Sequence, residues 1–160
     1  MLKAGRVAAL SLEGLGKSLV LDVGTGTGVF AEEFALAGSS VIGIDPDGGM
    51  LATAVGLVGG ARFVRGSAED LPFRERCFDL TFLGLVLHET DSPLRALVEV
   101  RRVTRTRAAV LEWPFVTEGS GPPLGDRLDP EAIRGMAGRA GFGSCRSVGL
   151  SHLSLFLLEP

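Results

Sequence analysis

Five short apolar runs, most of them closed by an acid or a glycine, divide the first two-thirds of the chain. Leu19-Val20-Leu21 leads into Asp22, and Val41-Ile42-Gly43-Ile44 leads into Asp45. Arg62-Phe63-Val64, Phe78–Leu83 and Ala108–Leu111 follow at wider intervals. Runs that are apolar throughout, instead of alternating, predict strands covered on both faces. The segments between them change period. Val29–Ala37 places Phe30, Phe34 and Leu36 on one side and Glu32 and Glu33 on the other, a helix stopped by Gly38. Residues 48–58 read as helix despite Gly48, Gly49 and Gly56. A helix starts at Pro93 after a cap at Asp91 or Ser92, with Leu94, Leu97, Val98 and Val100 facing inward. After a Gly/Pro-rich loop from Glu118 to Gly125, Asp129-Pro130-Glu131 opens a further helix that Gly141 ends. Ser147–Leu158 carries two β-like runs broken near Ser151-His152, the pattern of a terminal hairpin.

Strands alternating with helices predict an α/β fold: a mostly parallel sheet with helices on both faces. Right-handed crossovers make a doubly wound order the simplest solution. Ligands of such sheets bind beyond the carboxyl ends of the strands, at the switch in strand order. Asp22, Asp45 and the segments after Val64 and Phe82 converge there.

Gly24-Thr25-Gly26-Thr27-Gly28 joins a strand to a helix, where glycines permit close approach and a helix N-terminus offers N–H groups to an anion. Two ligand classes fit this loop. Gly26, Gly28 and Ala31 match the dinucleotide pattern G-x-G-x-x-A, with Asp45 near the distance for an acid on a ribose. Asp22 argues the other way, since a carboxylate beneath the turn would repel a pyrophosphate. S-adenosylmethionine carries no phosphate. Its ammonium and sulfonium suit an acid at Asp22, its carboxylate suits the loop amides, and its ribose hydroxyls suit Asp45.

Composition narrows the choice. The 160 residues, 46% apolar and 22% charged, suit one domain spanning residues 1–160. Tyr is absent, which removes the catalytic residue of a short-chain dehydrogenase, and an Asn-Pro-Pro-Tyr amino-methylating site is excluded as well. The lack of Asn and Gln with an excess of Arg over Lys fits a heat-adapted source or a GC-rich genome. A net charge of −3 implies no polyanionic partner. Cys77 and Cys145 read as reduced, buried thiols. No signal peptide is evident, and runs such as Leu80–Leu87 fall far short of the ~18 residues of a membrane span. The expectation is a soluble, cytoplasmic protein.

Leu19–Gly28 with Asp45-Pro46 and Met50-Leu51 resembles the first two motifs of class I S-adenosylmethionine-dependent methyltransferases. Gly66–Phe73, Cys77-Phe78-Asp79, Val86-Leu87-His88-Glu89 and Ala96–Val103 resemble later segments of the subgroup that includes quinone-biosynthesis C-methyltransferases. The likeness spans residues 18–158 and implies a Rossmann-like sheet with a C-terminal antiparallel hairpin. It implies that Asp22, Gly24, Gly26 and Gly28 surround the methionine portion and that Asp45 takes the ribose hydroxyls. Pro46 would lie against the adenine, Ser67, Ala68 and Glu69 at its edge, and Leu83 and Gly84 at the methyl-bearing end. Two departures stand out: Ser67 where an Asp is common, and Arg105-Thr106-Arg107-Ala108 in place of a Lys-Pro-Gly-Gly turn before the fifth strand. Residues 1–17 form a shorter N-terminal segment than relatives carry over the site, which leaves the site open or closed by a second subunit or a large substrate.

The expected chemistry is methyl transfer to a small molecule. The alternatives are a non-catalytic S-adenosylmethionine-binding or interaction subunit and, third, an NAD(P)-dependent oxidoreductase. In-line displacement at a sulfonium needs mainly placement of donor and acceptor, plus a base where the acceptor must lose a proton. His88, after the fourth strand, is the first candidate for that base and Glu89 the second. His152 has no expected role, and the spacing of His and Cys predicts no metal. Trp113 and Arg127, flanking the loop after the fifth strand, are candidates for acceptor binding. Arg101, Arg102, Arg105 and Arg107 read as a cluster favoured by a helix C-terminus, with nucleic acid disfavoured because no aromatic residues interleave them.

Overall fold

The computed structural model describes residues 3–117 and 121–160. The loop expected from Glu118 lies partly outside them, at residues 118–120. The helices are α1 (Ala4–Ser11), α2 (Val29–Leu36), α3 (Gly48–Leu57), α4 (Pro93–Val103) and α5 (Pro130–Ala140). The strands are β1 (Leu19–Val23), β2 (Ser40–Asp45), β3 (Ala61–Arg65), β4 (Phe78–Gly84), β5 (Thr104–Glu112), β6 (Ser144–Leu150) and β7 (Leu153–Glu159). They form one seven-stranded sheet in the order β3-β2-β1-β4-β5-β7-β6. The first five strands run parallel, and the β6–β7 hairpin joins antiparallel to β5. The order reverses between β1 and β4, so the crevice beyond Val23 and Gly84 is the switch point.

Each face of the sheet has its own core. Leu21, Val23, Leu83, Val110 and Phe156 pack under α4 and α5 through Leu97, Val100, Ile133 and Ala137. Val20, Val41, Leu80, Phe82 and Leu111 pack on the other face under α1 and α2 through Val7, Ala8, Phe30 and Phe34. Phe82 meets Phe30 at 4.7 Å and Phe34 at 5.2 Å between ring centroids, tilted and edge-on contacts that aromatic quadrupoles favour.

Helix ends follow the expected chemistry. Ser92 caps α4 from its side chain, Asp129 caps α5, and Gly141 ends α5 at a φ of 96°. Two expected inner faces are corrected. Leu36 stands 76% exposed on α2, where Ala31 is buried in its stead. On α4, Val98 is exposed, and Ala96 and Val103 complete the face with Leu97 and Val100. Residues 1–17 also contain more than a connecting segment. α1 buries Val7 and Ala8 beside α2, at the core of one face.

The arginine cluster is corrected too. α4 passes directly into β5 at Val103–Thr104, so no turn stands at Arg105–Ala108. The four guanidinium groups disperse to different partners. Arg101 donates to the Gly141 carbonyl, Arg102 bridges Glu99 and the carbonyls of Leu71 and Phe73, Arg105 pairs with Asp79, and Arg107 binds Glu159 and the Glu13 carbonyl. Arg101 ties α4 to the end of α5, Arg102 holds the Leu71–Phe73 segment, and Arg105 and Arg107 link β5 to β4, β7 and the segment after α1.

Candidate active site

Beyond the ends of β1, β2, β3 and β4 lies a cavity of about 560 Å³. It is lined by Gly24, Gly26, Asp45, Pro46, Asp47, Met50, Gly66, Ser67, Ala68, Glu69, Gly84, Leu85, Val86, Glu89, Thr90 and Asp91. Eight of the eleven expected cofactor residues therefore share one wall: Gly24, Gly26, Asp45, Pro46, Ser67, Ala68, Glu69 and Gly84. Asp22, Gly28 and Leu83 are placed behind it. Leu83 is fully buried in the core under α4. Gly28, in the left-handed conformation, begins α2 against Ala54 and Val58.

Asp22 is 1% exposed beneath the glycine loop. Its carboxylate accepts the Thr25 hydroxyl at 2.7 Å and the Ala31 N–H, so it anchors both loop and helix start. Burial pushes its pKa up to about 7, and the hydrogen bonds from Thr25 and Ala31 offset only part of that. Asp45 performs a second anchoring. One carboxylate oxygen accepts the Gly26 N–H at 2.9 Å and the other accepts the Asp47 N–H at 2.9 Å.

The loop amides are largely committed. Gly24 and Thr25 donate to the Ile44 carbonyl, Gly26 to Asp45 and Gly28 to the Thr25 carbonyl. The expectation that these amides await an anion is therefore corrected. The glycines provide close approach: a Cβ on Gly24 would lie 2.2 Å from Val86 Cγ2. Val86 thus rests on the loop, and Leu85 beside it takes a φ of 62°, with its N–H on the Leu111 carbonyl at 2.9 Å. A leucine in that region is strained, a feature that concentrates at functional sites. The opposite wall is fixed from α4. Glu69 accepts the Ser92 N–H at 3.1 Å, and Glu99 accepts the Leu71 N–H at 2.9 Å. The Arg102 guanidinium holds the Glu99 carboxyl below its ordinary range.

His88 does not line the cavity. Its side chain, 7% exposed, sits on a short 3-10 turn (Leu87–Glu89) against Glu112 at the end of β5. His88 Nδ1 lies 2.8 Å from Glu112 Oε2 and 3.1 Å from Oε1. The backbone N–H groups of His88 and Trp113 also donate to Glu112. Two certain donors on one carboxyl favour its acceptor form, so Nδ1 carries a proton toward it. Burial opposes this by pushing the Glu112 carboxyl up, and the nearby His88 pulls it back. Nε2 lies 3.9 Å from Glu89, whose exposed side chain does line the cavity.

Sequence reasoning missed Glu112. Its signal was the acid ending the fifth apolar run, which follows the same pattern as Asp22 and Asp45.

Trp113 and Arg127 stand outside the cavity wall. Gly121 lies on the Trp113 ring, and the Arg127 guanidinium stacks 5.8 Å from it. Arg127 is 6% exposed and donates to the carbonyls of Pro114, Val116 and Pro122, tying the neck of the loop.

Residues 21–111, more than half of the chain, match the family model described as a methyltransferase domain. The chain belongs to the class I S-adenosylmethionine-dependent methyltransferase family. This methyltransferase domain is 36% identical over 101 residues to the malonyl-[acyl-carrier protein] O-methyltransferase of Pectobacterium atrosepticum, covering 63% of the chain and 40% of that protein. It is 35% identical over 103 residues to the demethylmenaquinone methyltransferase of Renibacterium salmoninarum, covering 64% and 44%. The matched segment thus spans less than half the length of these relatives. Its fold is similar to that of a methyltransferase from Aquifex aeolicus described as S-adenosylmethionine-dependent, with a TM-score of 0.81, 22% identity, and 99% and 98% of the two chains covered.

His88→Ala in this domain would strand the Glu112 carboxylate in the core. Loss of one partner of a buried pair costs about 3 kcal/mol, which corresponds to a Tm lower by roughly 10 °C for a chain of this size. The loss shrinks in acid, where the stranded carboxyl takes a proton. Thermal melts at pH 5 and pH 8 check both the size and the direction.

Proposed function

We propose that the cavity binds S-adenosylmethionine and that the domain transfers its methyl group to a small molecule. One observation carries the reading: every charged side chain of the cavity wall among the described residues is a carboxylate, and the glycine loop has spent most of its amides. A pyrophosphate would meet repulsion with few donors to offset it, whereas a ligand bearing ammonium and sulfonium is favoured. Membership in the methyltransferase family supports the same choice.

In this reading the ribose hydroxyls donate to Asp45, which retains lone pairs after accepting two backbone N–H groups. Pro46, Met50 and Ala68 give the adenine apolar contact, and the Ser67 hydroxyl accepts from its amine in place of a carboxylate. Gly84 and Leu85 border the methyl group. Asp22 acts from beneath the loop on the ammonium.

An acceptor nucleophile attacks the methyl carbon in line, and the S–CH3 electron pair stays on sulfur. Where the acceptor carries a proton to be lost, Glu89 is the acid in contact with the cavity. His88 Nε2 stands behind it to accept the proton, its ring oriented by Glu112.

Trp113 and Arg127 shape the acceptor side as a braced loop, with Arg127 acting through the backbone it ties. Within this reading the acceptor is a small molecule and nucleic acid is disfavoured. A second copy or the acceptor itself covers the open side of the cavity. Among the described residues no helix is long and apolar enough to cross a membrane, and the free thiols Cys77 and Cys145 fit a reducing, cytoplasmic setting.

Titration calorimetry with S-adenosylmethionine, S-adenosylhomocysteine and NAD tests the cofactor assignment. The two sulfur compounds are expected to bind and NAD is not, and Asp45→Ala should lower affinity by at least tenfold. Binding of NAD alone would reverse the reading. Radiolabelled methyl transfer into small-molecule extract then separates a transferase from a non-catalytic binder.

Asp22 gives a pH signature. Its carboxyl holds a proton up to about pH 7 in the fold against 3.8 for the free group. It therefore contributes stability that is full below about pH 4 and is lost as pH rises through about 7, on the order of 4 kcal/mol in all. Asp22→Asn should melt at or above the parent's temperature at pH 8, with the difference closing toward pH 5, while binding S-adenosylmethionine more weakly. An Asn variant that melts far lower at pH 8 would contradict this.

A further inference from the structure

The His88 ring is held on one side only. Its turn, Leu87–Glu89, is pinned at three points. Leu87 is fully buried in the core under α4, the Thr90 hydroxyl donates to the Leu87 carbonyl at 2.7 Å, and the His88 N–H donates to Glu112 at 3.1 Å. Nδ1 meets both oxygens of Glu112, at 2.8 Å and 3.1 Å. Nε2 makes no hydrogen bond among the described residues, although the side chain is only 7% exposed. Nor is it sealed in the core. Among the described residues the fully enclosed side-chain atoms without a partner are Ser39 Oγ and Arg107 Nε, so Nε2 keeps a path outward.

A histidine that only braces a fold, buried to this degree, bonds both ring nitrogens. Here one nitrogen is committed to a buried carboxylate. The other lies 3.9 Å from Glu89 Oε1, on a side chain that lines the cavity. Other charged groups stand away from the ring. On β5, Arg105 and Arg107 pair with Asp79 and Glu159 at the far end. On α4, which packs against the turn, Arg101 binds the Gly141 carbonyl, Arg102 pairs with Glu99, and Arg95 is exposed. Asp91, beyond the turn, is exposed as well.

We infer that the methyl acceptor is a molecule that gives up a proton on methylation, an O–H or N–H compound, and that Glu112 is the positioning residue that keeps His88 ready for that proton. The inference rests on the methyl-transfer reading above and adds to it the class of acceptor. The acceptor's lone pair forms the bond to the methyl carbon as the S–CH3 bond breaks, and that pair stays on sulfur. The acceptor's O–H or N–H bond breaks toward the Glu89 carboxylate, and the proton passes on to Nε2. The imidazolium so formed lies against Glu112, which balances its charge. The exposed Glu89 side chain then returns the proton to solvent. A gap of 3.9 Å between acid and ring suits a contact that tightens when the substrate arrives. Without the Glu112 carboxylate the ring would turn freely, and either nitrogen could carry the proton of the neutral form.

Two measurements test this. The chain has two histidines, His88 and His152, so long-range proton–nitrogen spectra of protein labelled with 15N-histidine resolve them. At pH 8 His88 should carry its proton on Nδ1 with Nε2 bare, and Glu112→Gln should mix the two tautomers. A parent ring protonated at both nitrogens, or on Nε2 alone, overturns the inference without recourse to a variant. The second measurement follows tritium from methyl-labelled S-adenosylmethionine into small-molecule extract between pH 6 and pH 9. The labelled product should survive alkali and carry no fixed positive charge, and the rate should fall toward acid. Glu112→Gln should lower turnover by about a hundredfold, with affinity for S-adenosylmethionine within about twofold as the sign of an intact fold. Glu112→Asp should recover part of the loss. A labelled methyl ester, sulfonium or quaternary ammonium, a rate indifferent to pH, or Glu112→Gln turnover within about threefold of the parent overturns the inference and leaves methyl transfer standing. Absence of any labelled product from protein that binds S-adenosylmethionine overturns the transfer reading together with it.

Discussion

The cavity depends on Asp45 more than on any other residue. Its two carboxylate oxygens hold the N–H groups of Gly26 and Asp47, and its backbone carbonyl holds the N–H of Gly66. One residue at the end of β2 thereby fixes the glycine loop on one side, the start of α3 on another and the entry to the Gly66–Phe73 segment on a third. The two carboxylate bonds are 2.9 Å long and part-buried, where a lost partner costs the desolvation of whatever is left unpaired. Without the carboxylate the Gly26 and Asp47 N–H groups would lose their partner, whereas the backbone bonds of Gly66 to residue 45 and of Gly24 and Thr25 to Ile44 would remain. Close approach completes the arrangement. Gly24 leaves room for Val86, so the segment after β4 rests directly on the loop after β1.

Behind that wall stand two buried acids with opposite neighbours. Asp22 has neutral donors, the Thr25 hydroxyl and the Ala31 N–H, and burial keeps its proton near neutrality. Glu112 has a histidine, which draws it back toward the ionised form. Both close strands of the same sheet at the same end, yet one anchors the loop and the other orients an imidazole. This arrangement places protonatable groups at a fixed distance from the cavity without exposing them to solvent.

Strand positions, the switch point and the glycine loop were legible because they rest on local rules: apolar runs, acids at strand ends, Pro and Gly at helix ends. The dispersal of Arg101, Arg102, Arg105 and Arg107 was not, since each partner is remote in sequence and the passage of α4 into β5 has no turn to mark it. α1 escaped notice because it is eight residues long with no side-chain cap, and Val7 and Ala8 are buried only by tertiary contact with α2. Leu36 and Val98 failed by one helical step, as apolar residues at the margin of a stripe do. The site divides in the same way. Gly24, Gly26, Asp45, Pro46 and the Ser67–Glu69 segment were legible from motifs, whereas Glu112 required knowing which residue β5 brings opposite His88.

The central claim is that the crevice beyond β1, β2 and β4, walled by Asp45 and the glycine loop, is where the donor sits. Amide chemical-shift mapping of the 15N-labelled domain during titration with S-adenosylmethionine tests it most directly. The account predicts shifts at Gly26, Asp47, Gly66–Glu69 and Gly84–Val86, with β6 and α5 unmoved. Shifts confined to the loop between Trp113 and Arg127, or to the outer surfaces of α4 and α5, with the Gly26 and Asp47 amides unchanged, would contradict it.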